Sequence, residues 1–179
     1  MVVAVAGASG FVGSALCHEL VAAGMHVLAL GRSPVPARQE VQREAALRVS
    51  EPGITKVQAD LFSLIQVERA IDGADIGIYL VHSMLPAARL TQGHFSDFDL
   101  LLADNFARAA QRKGLKRIIY VGGIIPDIRE ELLSKHLQSR LEVERVLGST
   151  GLPVFVLRAG LIVGRGGSSL KIIINMVRR

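Results

Sequence analysis

The chain has 179 residues, half of them hydrophobic, with one cysteine, no tryptophan and a formal charge of +5. That length suits one domain with a sizeable core, the lone cysteine excludes an internal disulfide framework, and no apolar run reaches the roughly 18 to 20 residues that span a bilayer. The basic balance raises nucleic acid as a partner, but the few aromatics and the lack of a dense Lys/Arg block argue against it, and solvated helix faces account for the charge.

The first predicted strand is Val2–Ala6. This apolar run breaks at Gly7 and lacks a basic flank, so it does not read as a signal peptide, and the expected compartment is the cytoplasm. "VAGASGFVGS" follows and opens a predicted helix, Phe11–Ala23. Strand, G-x-x-G-x-x-G, helix is the context that gives such a motif meaning. Gly7 turns the chain, Gly10 lets backbone approach a pyrophosphate, and Gly13 lets the helix pack on the sheet. The N–H groups at the positive helix end then face the phosphates, and Ser9 adds a hydroxyl. The turn is expected to hold a dinucleotide.

The second strand, His26–Leu30, ends in "LALGRS". An NAD site carries Asp or Glu about 20 residues after the glycine turn. Here Arg32 and Ser33 stand in that place, with Arg38 a further candidate. A guanidinium binds a 2′-phosphate that a carboxylate would repel. The expected cofactor is therefore NADP rather than NAD. A short helix is expected over Arg38–Leu47.

The third strand, Ile54–Ala59, runs into "QADL", where Asp60 can accept from an adenine amino group and Leu61 can pack near the base. Asp60 can equally cap the next helix, Leu64–Ile71, with Ser63 nearby. The fourth strand, Asp75–Val81, ends in "YLVHSM", at the edge where ligands bind in open α/β sheets. Val81, His82 and Ser83 are expected on the ribose side, with a purely structural His82 left open. Then come a helix over Phe95–Lys113, a strand over Arg117–Val121, a helix over Ser134–Leu147 and a strand over Pro153–Leu157. Gly24 and Gly114 read as helix C-terminal caps. Cys17, beside Leu16 and Leu20, reads as core rather than nucleophile.

This alternation implies an α/β fold: a doubly wound, mostly parallel sheet of order 3-2-1-4-5-6, with helices on both faces. Residues 1–168 are assigned to that domain. Residues 169–179 read as the start of an apolar C-terminal helix, the edge of a substrate region missing here or supplied by a partner. A second copy of the chain is one such partner.

"GASGFVG", "QADLFS", "IYLVHSM", "DNFARAAQRKGLKRIIYVGG" and "LPVFVLRAGLIVGRGG" resemble, in order, motifs of the atypical short-chain dehydrogenase/reductases, in particular their NmrA-like NAD(P)-binding branch. The resemblance implies an extended-type Rossmann domain. It also implies that Gly7, Ser9, Gly10, Phe11, Val12 and Arg32 carry the cofactor's phosphates, with Asp60 and Leu61 at its adenine.

Enzymes of that group typically use a Tyr-x-x-x-Lys pair with an upstream Ser. This chain departs from the pattern. Its tyrosines are Tyr79 and Tyr120, with Ser83 and Ile124 four positions on, and Gly122-Gly123 stand where the Ser would be. On the helix after the fifth strand the sequence reads "KHLQSR". His136 and Arg140 keep the four-residue spacing and share one helix face. They are the catalytic candidates, a His acting as acid/base near neutral pH, with Lys135 a weaker substitute. No spacing suggests a metal site. Two readings follow: an NADP-dependent oxidoreductase with an altered active site and an unknown small-molecule substrate, or a non-catalytic NADP-sensing, regulatory or assembly module with a protein partner.

Overall fold

The computed structural model describes residues 1–32, 48–82, 95–164 and 174–177. In chain order the elements are β1 (Val2–Ala6), α1 (Phe11–Ala22), β2 (His26–Gly31), β3 (Arg48–Glu51), β4 (Ile54–Gln58), α2 (Leu64–Ala70), β5 (Ile76–Tyr79), α3 (Phe95–Arg112), β6 (Arg117–Gly123), α4 (Lys135–Gly148) and β7 (Val154–Ala159). They form one sheet of order β3-β4-β2-β1-β5-β6-β7. From β4 to β7 every neighbouring pair is parallel, which is the expected doubly wound order. The addition is β3, an antiparallel edge strand on β4. The helix expected over Arg38–Leu47 lies outside the described residues.

Period-two alternation explains the two cores. Val3 and Val5 of β1 point to the α1 side, where they meet Cys17, Val27 and Ile78. Ala4 and Ala6 point the other way, into a larger cluster with Phe106, Tyr79, Tyr120 and Leu147. A strand buried on both faces must be apolar at nearly every position, as β1 and β2 are. α1 covers one face and α2, α3 and α4 cover the other. Cys17 is core as expected, and burial raises its thiol pKa. Gly24 and Gly114 follow α1 and α3 with positive φ, as caps. At the β7 edge, Phe155 and Leu157 stand exposed, with the Arg117 guanidinium 5.2 Å above the Phe155 ring.

The parallel order sends the carboxyl ends of β1, β2, β4, β5, β6 and β7 to one edge. The described residues proposed for a ligand lie along that edge or on the helices that rise from it.

Candidate functional site

The glycine turn is built for close approach. Gly7 has φ +88, and the Gly10 N–H donates to its carbonyl at 3.0 Å. Gly13 sits so near this turn that a Cβ there would lie 2.1 Å from the Gly7 oxygen. No side chain at that position fits. α1 therefore starts directly against β1, with Gly10 as an N-cap that has no side-chain cap and with no acidic residue in the first turn. The N–H groups of Phe11 and Val12 have no partner among the described residues. Ser9 and Phe11 beside them are exposed. A positive helix end with unpaired donors and no local carboxylate fits a phosphate.

Arg32 follows β2 on the same edge and is exposed. The Ala59 N–H donates to the Gly31 carbonyl at 2.9 Å, which carries the β2–β4 pairing up to the residue before Asp60. Asp60 is exposed, and its Oδ1 accepts from the Phe62 N–H at 3.1 Å, closing a local turn. The cap of α2 is Ser63, whose Oγ accepts from Gln66. Leu61 is buried, its carbonyl held by Asn105 Nδ2 at 2.8 Å. Ser33, Arg38 and Ser83 lie outside the described residues.

At the ends of β5 and β6 the structure gathers a polar cluster between α3 and α4. Val81 and His82 follow β5, and the His82 ring lies 4.9 Å from that of His136, edge to face. His136 is in the first turn of α4, which Ser134 caps by accepting from the Leu137 N–H. One turn on, Arg140 Nη1 donates to the Tyr120 hydroxyl at 3.4 Å, and that hydroxyl donates to the Arg140 carbonyl at 3.3 Å. Tyr79 and Tyr120 are core residues, and burial raises the pKa of both hydroxyls. Both are shut away from solvent and are weaker acids than an ordinary tyrosine. The His136 pKa is lowered, first by burial and then by the charges of His82 and Arg140, against an opposing pull from Asp99.

Asp99 is the residue that sequence reasoning missed. Its Oδ2 is 3.7 Å from His82 Nδ1, and it is buried on α3. The signal was present: Asp99 occupies the stripe of Leu102, Ala103 and Phe106, where a helix shows its apolar face to the core. Cys17 packs in the core on the α1 side of the sheet, and no group of His, Cys, Asp or Glu among the described residues could hold a metal.

The sequence profile of the family described as NAD(P)H-binding matches residues 7–173. The chain belongs to this family. It is 28% identical over 121 residues to the auxiliary protein GraX of Staphylococcus aureus, a match covering 68% of this chain and 36% of that protein. It is 38% identical over 72 residues to the 2-alkyl-3-oxoalkanoate reductase of Shewanella oneidensis, covering 40% of this chain and 16% of that one. The chain thus spans well under half the length of both relatives. Among solved structures it resembles the Bordetella bronchiseptica enzyme WbmH in complex with NAD+, with TM-score 0.72, 18% identity, and 99% and 62% of the two chains covered. It also resembles the Citrobacter sp. triphenylmethane reductase complexed with NADP(H), with TM-score 0.62, 19% identity, and 91% and 50% covered. No helix among the described residues is long and apolar enough to cross a membrane.

Proposed function

We propose that the chain is the dinucleotide-binding part of a cytoplasmic, NADP-linked oxidoreductase of the NmrA-like branch, acting on a carbonyl compound. The observation that supports it is the meeting of His136, Arg140 and His82 at the sheet edge that also carries the glycine turn and Arg32. The partial likeness to a 3-oxoalkanoate reductase agrees with a carbonyl substrate. NADPH, when bound, supplies a hydride to the carbonyl carbon. The chain's own residues do the rest. The N–H groups of Phe11 and Val12 and the Ser9 hydroxyl take the pyrophosphate. Arg32 and Ser33 take the 2′-phosphate, Asp60 and Leu61 the adenine, and Val81, His82 and Ser83 the ribose side. His136 gives its proton to the carbonyl oxygen, and because its proton affinity is lowered, the charged donor form is populated below its ordinary 6.5. The products are an alcohol and NADP+, and solvent returns the proton to the exposed imidazole. Arg140 adds a fixed positive charge beside the developing oxyanion.

The likeness to an auxiliary protein over two thirds of the chain favours a second reading, a sensing, regulatory or assembly module that binds NADP without turnover. One experiment separates the two. NADPH and NADH are titrated calorimetrically, and NADPH absorbance is then followed with quinones, aldehydes and ketones. Oxidation that His136→Gln abolishes supports the enzyme; tight NADPH binding with no oxidation across the panel supports the module.

A further inference from the structure

Behind His136 lie a second imidazole, His82, to which the reading above gives only contact with the ribose side, and a carboxylate, Asp99, to which it gives no task. His82 is three-quarters buried in its side chain. Both of its ring nitrogens are buried with no hydrogen-bond partner among the described residues. On one side stands Asp99, Oδ2 3.7 Å from Nδ1, on a residue only 6% exposed. On the other side stands the His136 ring, at 4.9 Å and 61°. A carboxylate held this far from water favours the charged form of an imidazole beside it. The described groups that face the spot are His82 from the end of β5, His136 and Arg140 from α4, and the hydroxyls of Tyr79 on β5 and Tyr120 on β6. The two tyrosines stay neutral and add no charge to the cluster.

We infer that Asp99 and His82 form a positioning dyad for His136, in which Asp99 faces the His82 ring and His82 sets the His136 ring. The inference rests on the reading of His136 as proton donor. Two imidazoles in contact repel when both are charged. The Asp99 charge favours the proton on His136 and Arg140 disfavours it. The balance decides whether His136 meets the substrate charged. The edge-to-face contact also stops the His136 ring from turning outward from the first turn of α4, and an acid must keep its position to be useful.

The test is a ring-proton NMR titration of the cofactor-free chain, with His136 assigned by its loss in His136→Gln. In Asp99→Asn the His136 midpoint moves to lower pH, because a nearby negative charge is gone. In His82→Gln it moves to higher pH, because a nearby positive charge is gone. A His136 midpoint unchanged in both folded variants overturns the dyad. Should Asp99→Asn fail to fold, His82→Gln alone decides, with an unmoved midpoint overturning the dyad. In the loaded protein, the alkaline limb of NADPH oxidation moves in the same two directions. Midpoint shifts in the two variants together with no NADPH oxidation by the wild type overturn the proton-donor reading and leave the dyad standing.

Discussion

Arg32 and Gly13 act on the same ligand by different means, charge and shape. Arg32 is exposed at the end of β2. A guanidinium on a phosphate makes charge-assisted bonds of about 1.5 to 3 kcal/mol. Arg32→Ala is therefore expected to weaken NADPH by about 10- to 100-fold and leave NADH unchanged. Calorimetric titration of both nucleotides checks this, and an unchanged NADPH/NADH ratio removes Arg32 from the 2′-phosphate site. Gly13 offers no such discrimination. A Cβ there meets the Gly7 carbonyl at 2.1 Å, and that atom is backbone that cannot swing aside. Gly13→Ala must push α1 off β1, so it is expected to destabilise the fold by about 1 to 3 kcal/mol. It should also weaken NADPH and NADH alike. Urea unfolding and the same two titrations test both parts, and a variant with wild-type stability contradicts the packing seen here.

Elements were legible where periodicity alone fixes them. α3 reads as a helix from its repeating Leu102, Phe106 and Ala110, and β1 reads as a doubly buried strand from an unbroken apolar run. β3 was not legible by that route. It is four residues long and shows no apolar alternation, although Pro52-Gly53 between it and β4 is a turn signal. The Asp60 turn and the Ser63 cap were separable only in space, because both residue types suit either task. The histidine cluster was legible in half. Helical spacing pairs His136 with Arg140, but nothing local brings residues 82, 99 and 136 together; that takes the parallel order of β5 and β6 with α3 and α4 on one face. The start of α4 then matters for chemistry as well as stability. Ser134 Oγ accepts the Leu137 N–H at 3.3 Å, satisfying a donor at the first turn. Ser134→Ala is expected to cost about 1 kcal/mol and to speed amide exchange at residues 135–138, beside His136. Urea midpoints and hydrogen exchange measure the two effects, and unchanged exchange there means the first turn is held by packing instead.

Across the whole molecule the two edges of the sheet carry different titrating groups, so acid should loosen them at different pH. The amino edge is tied by Asp75. Its Oδ2 accepts the Val2 N–H at 2.8 Å and its Oδ1 accepts Lys116 Nζ at 2.8 Å, which joins the starts of β1, β5 and β6. Those bonds, Lys116 first and Val2 second, lower the Asp75 pKa from its ordinary 3.8. A depressed carboxylate contributes stability that is fully present above the ordinary value and is lost as pH falls through the folded one. Lys116 is largely exposed, so solvent and salt reduce the effect. At the carboxyl edge His136 is depressed below 6.5 by burial, His82 and Arg140. The folded state then takes up its proton later than the unfolded chain does. Its contribution is present above 6.5 and is lost as pH falls from there through the folded value. The expected melting temperature therefore declines in two limbs, a first one starting near 6.5 and a second one below 3.8. His136→Gln should flatten the first limb and keep the second. Asp75→Asn should lower the melting temperature at neutral pH and flatten the second limb while keeping the first. Calorimetric scans across pH on the three proteins decide it: if both variants keep both limbs, neither group governs its edge, and the acid response belongs to other groups.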